Sequence, residues 1–214
     1  MHDMKRYPVL LIGLFFCSIS LSAQYQDATE AQKKEIVDKI SQASSEMNSM
    51  QCEFTQVKEL SFMDEKVTSE GKMYFKKPNR IRWEYTKPLR YVFSMDGQNI
   101  RITSGDNTTT MSASQNKLFK EISNVMVGGV SGAGLVDSPD FNTQFFVGSN
   151  DYKVVLVPVK KEVKDLFSAI QVYVGKPDNR IRSVELVEQS GDKMTITLKN
   201  VQMNTTIDDE LFSK

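Results

Sequence analysis

Histidine is all but missing from this chain of 214 residues, the single one being His2. A mature chain cut behind that position has no raw material for a Ser-His-Asp or Cys-His machine, or for a histidine-ligated zinc. Cysteine is nearly as scarce, at Cys17 and Cys52 only. If Cys17 is removed with the N-terminus, Cys52 is left without an internal disulfide partner. It alternates with Phe54 in a strand-like stretch and reads as a small buried hydrophobe. Neither sign of charge is in excess, with 27 basic and 27 acidic residues, whereas nucleic-acid binders usually carry a basic surplus. The apolar stretch Val9–Phe16 falls short of the about 20 residues that a membrane-spanning helix needs.

That stretch has another explanation. Lys5 and Arg6 precede it and Leu21-Ser22-Ala23 follows it, the charged start, apolar middle and small-residue end of a secretory signal peptide. Cleavage near Ala23 then leaves an exported, periplasmic protein, with residues 1–23 as the signal and 24–214 as one domain. A lipid-modified Cys17 would need a small residue before it, and Phe16 stands there.

What is present is mostly strand pattern. Thr29 to Met47 comes first and is helical, with Ile36, Val37, Ile40, Ala43 and Met47 spaced along one stripe and Thr29 with Gln32 fitting a capping box. From Met50 the period switches to two: QCEFTQV, GKMYFKK, RIRWEY, RYVFSM and NIRIT follow one another, parted by turn chemistry at Pro78-Asn79, Pro88 and Asp96-Gly97. Residues 115–127 return to helical spacing through Leu118, Phe119, Ile122, Val125 and Met126, and glycines at 128, 129, 132 and 134 follow. No Gly-Lys-Ser/Thr follows them, so they read as a helix cap and connection and not as a phosphate cradle. Ser138-Pro139 is a fitting start for a short helix to about Phe146. YKVVLVP, SAIQVYV, IRSVELVE and KMTITLKNVQM complete the strands. The sum is a mainly β, α+β chain: an antiparallel sheet of about 9–11 strands that curls into an unclosed barrel or half-barrel, with helices over its open side.

Chemistry is hard to place on it. No pair of carboxylates stands out for glycoside hydrolysis, and Asp208-Asp209-Glu210 reads as a solvated turn. Arg80, Arg82, Arg90 and Arg101 lie among aromatics, but on a strand the arginines of RIRWEY face away from Trp83 and read as a wet outer surface. The positive feature is one apolar face: Phe54, Met73, Phe75, Ile81, Trp83, Tyr85, Phe93 and Met95 point the same way if the registers agree. A plain core fits this, and so does an apolar ligand cavity under a helical lid, where methionine suits varied chains.

SMQCEFTQ, EGKMYFKKPNRIRWEYTKP and SMDGQNI, in that order and spacing, closely resemble the LolA family of periplasmic outer-membrane lipoprotein carriers. The resemblance implies an unclosed β-barrel with a helical lid and a cavity for the acyl chains of lipoproteins. It also implies shuttling from an inner-membrane ABC exporter to an outer-membrane acceptor, by a monomer without cofactor, metal, catalytic residues or nucleic acid. By position, Ile81 and Trp83 would line the cavity with the other six apolar residues. Lys77 stands where the family has an arginine that hydrogen-bonds the lid, and lysine lacks the planar fork. The lid would comprise the first helix, through Ile36 and Ile40, and Leu118, Phe119, Ile122, Val125 and Met126, with Gly128 and Gly129 as hinge. Two other binding roles share this fold: carriage of another amphiphile, such as a glycolipid or polyene lipid, and a lipid-binding regulatory sensor.

Overall fold

The computed structural model describes residues 25–113 and 138–213. The N-terminal segment, the stretch 115–127 with its helical spacing and the glycines at 128–134 therefore lie outside the described residues. Twelve strands form one sheet in the order β1-β8-β9-β10-β11-β12-β2-β3-β4-β5-β6-β7. They are β1 (Gln26–Asp27), β2 (Ser49–Glu59), β3 (Lys66–Lys76), β4 (Arg80–Lys87), β5 (Tyr91–Met95), β6 (Asn99–Ser104), β7 (Asn107–Ser112), β8 (Phe141–Val147), β9 (Asp151–Pro158), β10 (Phe167–Gly175), β11 (Ile181–Glu188) and β12 (Lys193–Met203).

Every pairing is antiparallel, and the edge strands β1 and β7 are not joined. The sheet is thus an unclosed half-barrel made of two meanders, β2–β7 and β8–β12. They meet where β12 runs beside β2 from Lys193↔Glu59 to Met203↔Met50. A bulge between Lys199 and Gln202 sharpens the bend there, and Asn200 in it takes a φ of +52°, a left-handed value that asparagine tolerates.

Two features differ from the sequence expectation. Residues 141–147 form β8 and not a helix, because Phe141, Thr143, Phe145 and Val147 alternate toward the interior and pair along β9. Pro139 lies in the turn ahead of the strand, where its missing N–H costs no ladder bond. β7, Asn-Thr-Thr-Thr-Met-Ser, is a nearly all-polar edge strand without an apolar alternation to announce it.

The helix α1 (Glu30–Glu46) begins at the expected cap: Gln32 N donates to Thr29 Oγ1, and Thr29 N to Gln32 Oε1. Ile36 and Ile40 bury themselves against the inner side chains of β8–β11, among them Phe145, Val154, Leu156, Ile170 and Val172. A second helix, α2 (Lys161–Lys164), is one turn long and joins β9 to β10. A 3-10 turn at Asp209–Phe212 ends the described chain, with Asp208 as its cap and Phe212 fully buried.

Candidate functional site

The inner face of β2–β6 is built by register. Met73, Trp83 and Phe93 lie side by side across β3, β4 and β5, as do Phe75, Ile81 and Met95, and Gly71, Tyr85 and Tyr91. Phe54 on β2 is opposite Gly71. Strand alternation thus turns all eight candidate residues to one side, and they form one apolar cluster with Met47, Met50, Cys52 and Ile100, Tyr85 being half-buried at its margin. Tilted and edge-on ring contacts hold the middle: Phe54 is 4.8 Å from Trp83 and 5.1 Å from Tyr85, and Tyr85 is 5.8 Å from Tyr91.

Gly71 is what lets Phe54 lie flat. A Cβ there would collide with the Glu84 carbonyl and come within 2.6 Å of the Phe54 ring. The ring covers backbone that a side chain would otherwise occupy, a recognised compensation for glycine in a strand.

Polar atoms on this face are few. Tyr85 Oη donates to Gln56 Oε1 at 2.7 Å. Burial, reinforced by Tyr91, pushes the Tyr85 hydroxyl up to about 12, opposed by the Trp83 indole and Gln56 side chains. Trp83 Nε1 is itself buried without a well-formed hydrogen bond. Burial likewise pushes the Cys52 thiol up to about 12, which leaves it protonated and a poor nucleophile.

Lys77 sits at the lower end of this face and reaches α1. Its Nζ donates to the carbonyls of Ser44 and Ser45, 3.0 Å each, and its backbone N–H to Asn48 O at 2.9 Å. These are last-turn carbonyls at the negative end of the helix dipole, Ser44 O sharing its lone pairs with the capping Met47 N–H, and α1 has no basic residue of its own there. Asn204, which sequence reasoning passed over, works beside it. Its Nδ2 donates to Glu46 O at 3.0 Å, and its Oδ1 accepts from Asn48 N at 2.7 Å. A lone asparagine after a strand gives no local signal of such a role.

The lid residues divide. Ile36 and Ile40 lie over the β8–β11 half and not over Trp83, while Met47, at the end of α1, belongs to the Trp83 cluster. Leu118, Phe119, Ile122, Val125, Met126, Gly128 and Gly129 fall outside the described residues.

The outer face is different in kind. Two clefts of about 250 and 260 Å³ along β2 and β3 are lined by Gln51, Glu53, Lys72, Glu70, Lys87 and Lys199 among others, unsuited to hydrocarbon. Farther along, the expected wet arginine face of β4 is partly covered by the C-terminal turn. Arg82 Nη1 donates to Leu211 O and Arg82 pairs with Glu84, while Asp209 is 2.6 Å from both Lys76 and Arg80. The acidic run at 208–210 is therefore a clasp as well as a turn, and Lys76, first among its partners, holds the Asp209 carboxyl below the usual range.

Comparison with known proteins bears on this arrangement. No curated protein matches the chain. Among solved structures, an uncharacterized conserved protein from Thermus thermophilus is similar in fold, with a TM-score of 0.52 at 9% identity over 86% of this chain and 93% of that one. A LolA superfamily protein from Nitrosomonas europaea matches with a TM-score of 0.46 at 12% identity, covering 85% of this chain and 97% of that one. Lipoprotein LppX from Mycobacterium tuberculosis matches with a TM-score of 0.49 at 13% identity, covering 84% and 100%. The family model described as outer membrane lipoprotein carrier protein LolA matches residues 45–214, the last turn of α1 and all that follows, and the chain therefore belongs to the LolA family.

Proposed function

We propose that this protein is an exported, periplasmic carrier that takes the acyl chains of lipoproteins onto the inner face of β2–β6. It would receive them from an inner-membrane ABC exporter and yield them to an outer-membrane acceptor. The observation that carries this reading is the contiguous apolar face around Trp83, in a half-barrel whose edges do not close. Family membership supplies the cargo class.

Physical chemistry makes such a role necessary. Each methylene kept out of water is worth about 0.8 kcal/mol, so an acyl chain does not cross an aqueous compartment unshielded. A curved apolar sheet face offers shielding without directional bonds, and so without selectivity for one chain. Phe54, Phe75, Ile81 and Trp83 are the walls in this reading, Met73 and Met95 the adaptable filling. Lys77 holds the end of α1 that enters the same cluster, and so couples the helix to the site. The chain has no nucleotide-binding motif of its own, so loading draws on the exporter and unloading on a tighter acceptor.

The test is release of a triacylated lipoprotein from spheroplasts that contain the exporter. The added protein should bring the lipoprotein into the soluble fraction as a complex, and Trp83→Leu, which keeps the buried site apolar but shortens the wall, should weaken that capacity, with its folding checked separately by circular dichroism. Lipoprotein that stays on the spheroplasts with the unaltered protein present overturns the reading.

A further inference from the structure

The large apolar side chains that remain exposed among the described residues are Phe62, Met63, Val67, Leu89 and Val159, with Phe62 76% and Leu89 77% accessible. Phe62 and Met63 are in the β2–β3 connection, Val67 is the second residue of β3, Leu89 is in the β4–β5 connection and Val159 follows β9. The antiparallel register puts all of these at one end. Glu59 at the tip of β2 pairs with Lys66 and with Lys193, Glu188 pairs with Phe167, and Pro158 with Phe141. The turns at the opposite end, at 77–79, 96–98, 148–150 and 176–180, carry no exposed large hydrophobic residue.

We propose that this rim is a membrane-contacting surface, which seats on the interfacial zone of a zwitterionic bilayer. Three features favour a bilayer over a folded partner. The apolar side chains stand on separate tips; the β2–β3 and β4–β5 tips are two strand spacings apart, roughly 10 Å, and do not merge into the continuous patch that a protein interface buries. Each tip carries a cation adjacent in sequence or nearly so, several held by a carboxylate of the chain: Lys66 before Val67 pairs with Glu59, Lys87 ahead of Leu89 with Glu70, and Lys161 after Val159 with Asp165, with Arg90 and Lys160 next to the same apolar residues. An apolar side chain that enters the acyl boundary, with a long amine or guanidinium reaching back to the headgroups, is the usual arrangement at a membrane interface. Finally, the end loops 58–67, 87–91, 104–107, 159–165 and 188–193 contain eight basic and eight acidic residues. With no net charge, the rim lacks the pull toward anionic lipid that a polybasic surface has, and its contact depends on apolar burial alone. Tyr85, Tyr91 and Gln56 mark where the Trp83 face runs out toward this same end, so a seated rim brings that face to the lipid. The proposal stands on the exposed tips and not on what the face carries.

The experiment places a tryptophan on the rim. In the full chain, with Trp83→Phe, either Leu89→Trp or Phe62→Trp gives one emitter. Phosphatidylcholine vesicles with brominated acyl chains should shift its emission to the blue and quench it relative to unbrominated vesicles, equally at low and high salt. Gln98→Trp, at the opposite end, should show neither change. Because the Trp83→Phe background can fail to fold, Leu89→Trp is also made in the chain that keeps Trp83 and read as a difference from the unsubstituted protein. Rim tryptophans that stay unquenched overturn the proposal and leave the rim to a protein partner. Quenching as strong at Gln98→Trp, or quenching only with anionic lipid at low salt, overturns it as well. Lipoprotein release from spheroplasts is read separately, so either result can fail alone.

Discussion

Lys77 occupies a position at which family resemblance implies an arginine, and the geometry shows what lysine achieves there. Its single ammonium donates to two carbonyls, Ser44 O and Ser45 O, the first of which also accepts from the Met47 N–H at 3.3 Å. Charge-assisted hydrogen bonds of this kind are worth about 1.5–3 kcal/mol at best and less where water competes. Lys77→Met should therefore lower stability by about 1–2 kcal/mol, read as a shift of the urea midpoint at constant slope, whereas Lys77→Arg should stay close to the original value. A Lys77→Met protein within a few tenths of a kcal/mol of the unaltered one would mean that the contact is incidental. Gly71 shows the other side of legibility at this scale. The glycine that opens GKMYFKK is visible in sequence, but its reason, the Phe54 ring lying over it, exists only once β2 and β3 are in register.

Among the elements, the β5–β6 hairpin is the one most fully encoded in local sequence. Asp96-Gly97 predicts a tight turn, Gly97 takes a φ of +99°, and the Asp96 carboxylate accepts from the N–H groups of Gln98 and Asn99 and from Arg101. Burial alone would raise its pKa; the Asn99, Arg101 and Gln98 donors outweigh that and hold the carboxyl at about 2. A carboxyl depressed in the folded state stabilises it above its unfolded pKa and stops doing so as pH falls through the folded value. The stability tied to Asp96 is thus fully present at neutral pH and disappears between about pH 4 and pH 2, roughly 2 kcal/mol in all. Asp96→Asn should be less stable than the unaltered protein at pH 7, with the gap narrowing across that window in urea titrations. A gap that is constant with pH would assign the loss to packing. β8 is the element least encoded locally, since Ser138-Pro139 offers a helix start and Phe-Asn-Thr-Gln-Phe-Phe-Val decides for strand only through its neighbour β9. A two-fold alternation over seven residues competes poorly with a strong local cap signal until the partner strand is known.

Taken whole, the molecule is two meanders joined at β12 and β2, a pairing between residues more than a hundred positions apart that no local pattern encodes. The join also divides the interior. Both clusters are buried: one, under α1, lies around Leu156 and Ile170, and the other, around Trp83, is the proposed cargo face. The two should answer differently to an acylated ligand. Truncating a core side chain costs about 2–5 kcal/mol wherever it lies, so Leu156→Ala and Ile81→Ala should both lower the melting temperature of the empty protein. A ligand that binds only the folded state adds stability in proportion to its affinity, RT ln(1 + [L]/Kd). Saturation with a lipidated peptide should therefore raise the melting temperature of the Leu156→Ala protein as much as that of the unaltered one. The rise should be largely lost in Ile81→Ala, whose truncated side chain belongs to the wall that the acyl chain covers. Equal rises in both variants would place the cargo elsewhere, and a rise lost in both would make the two clusters a single core.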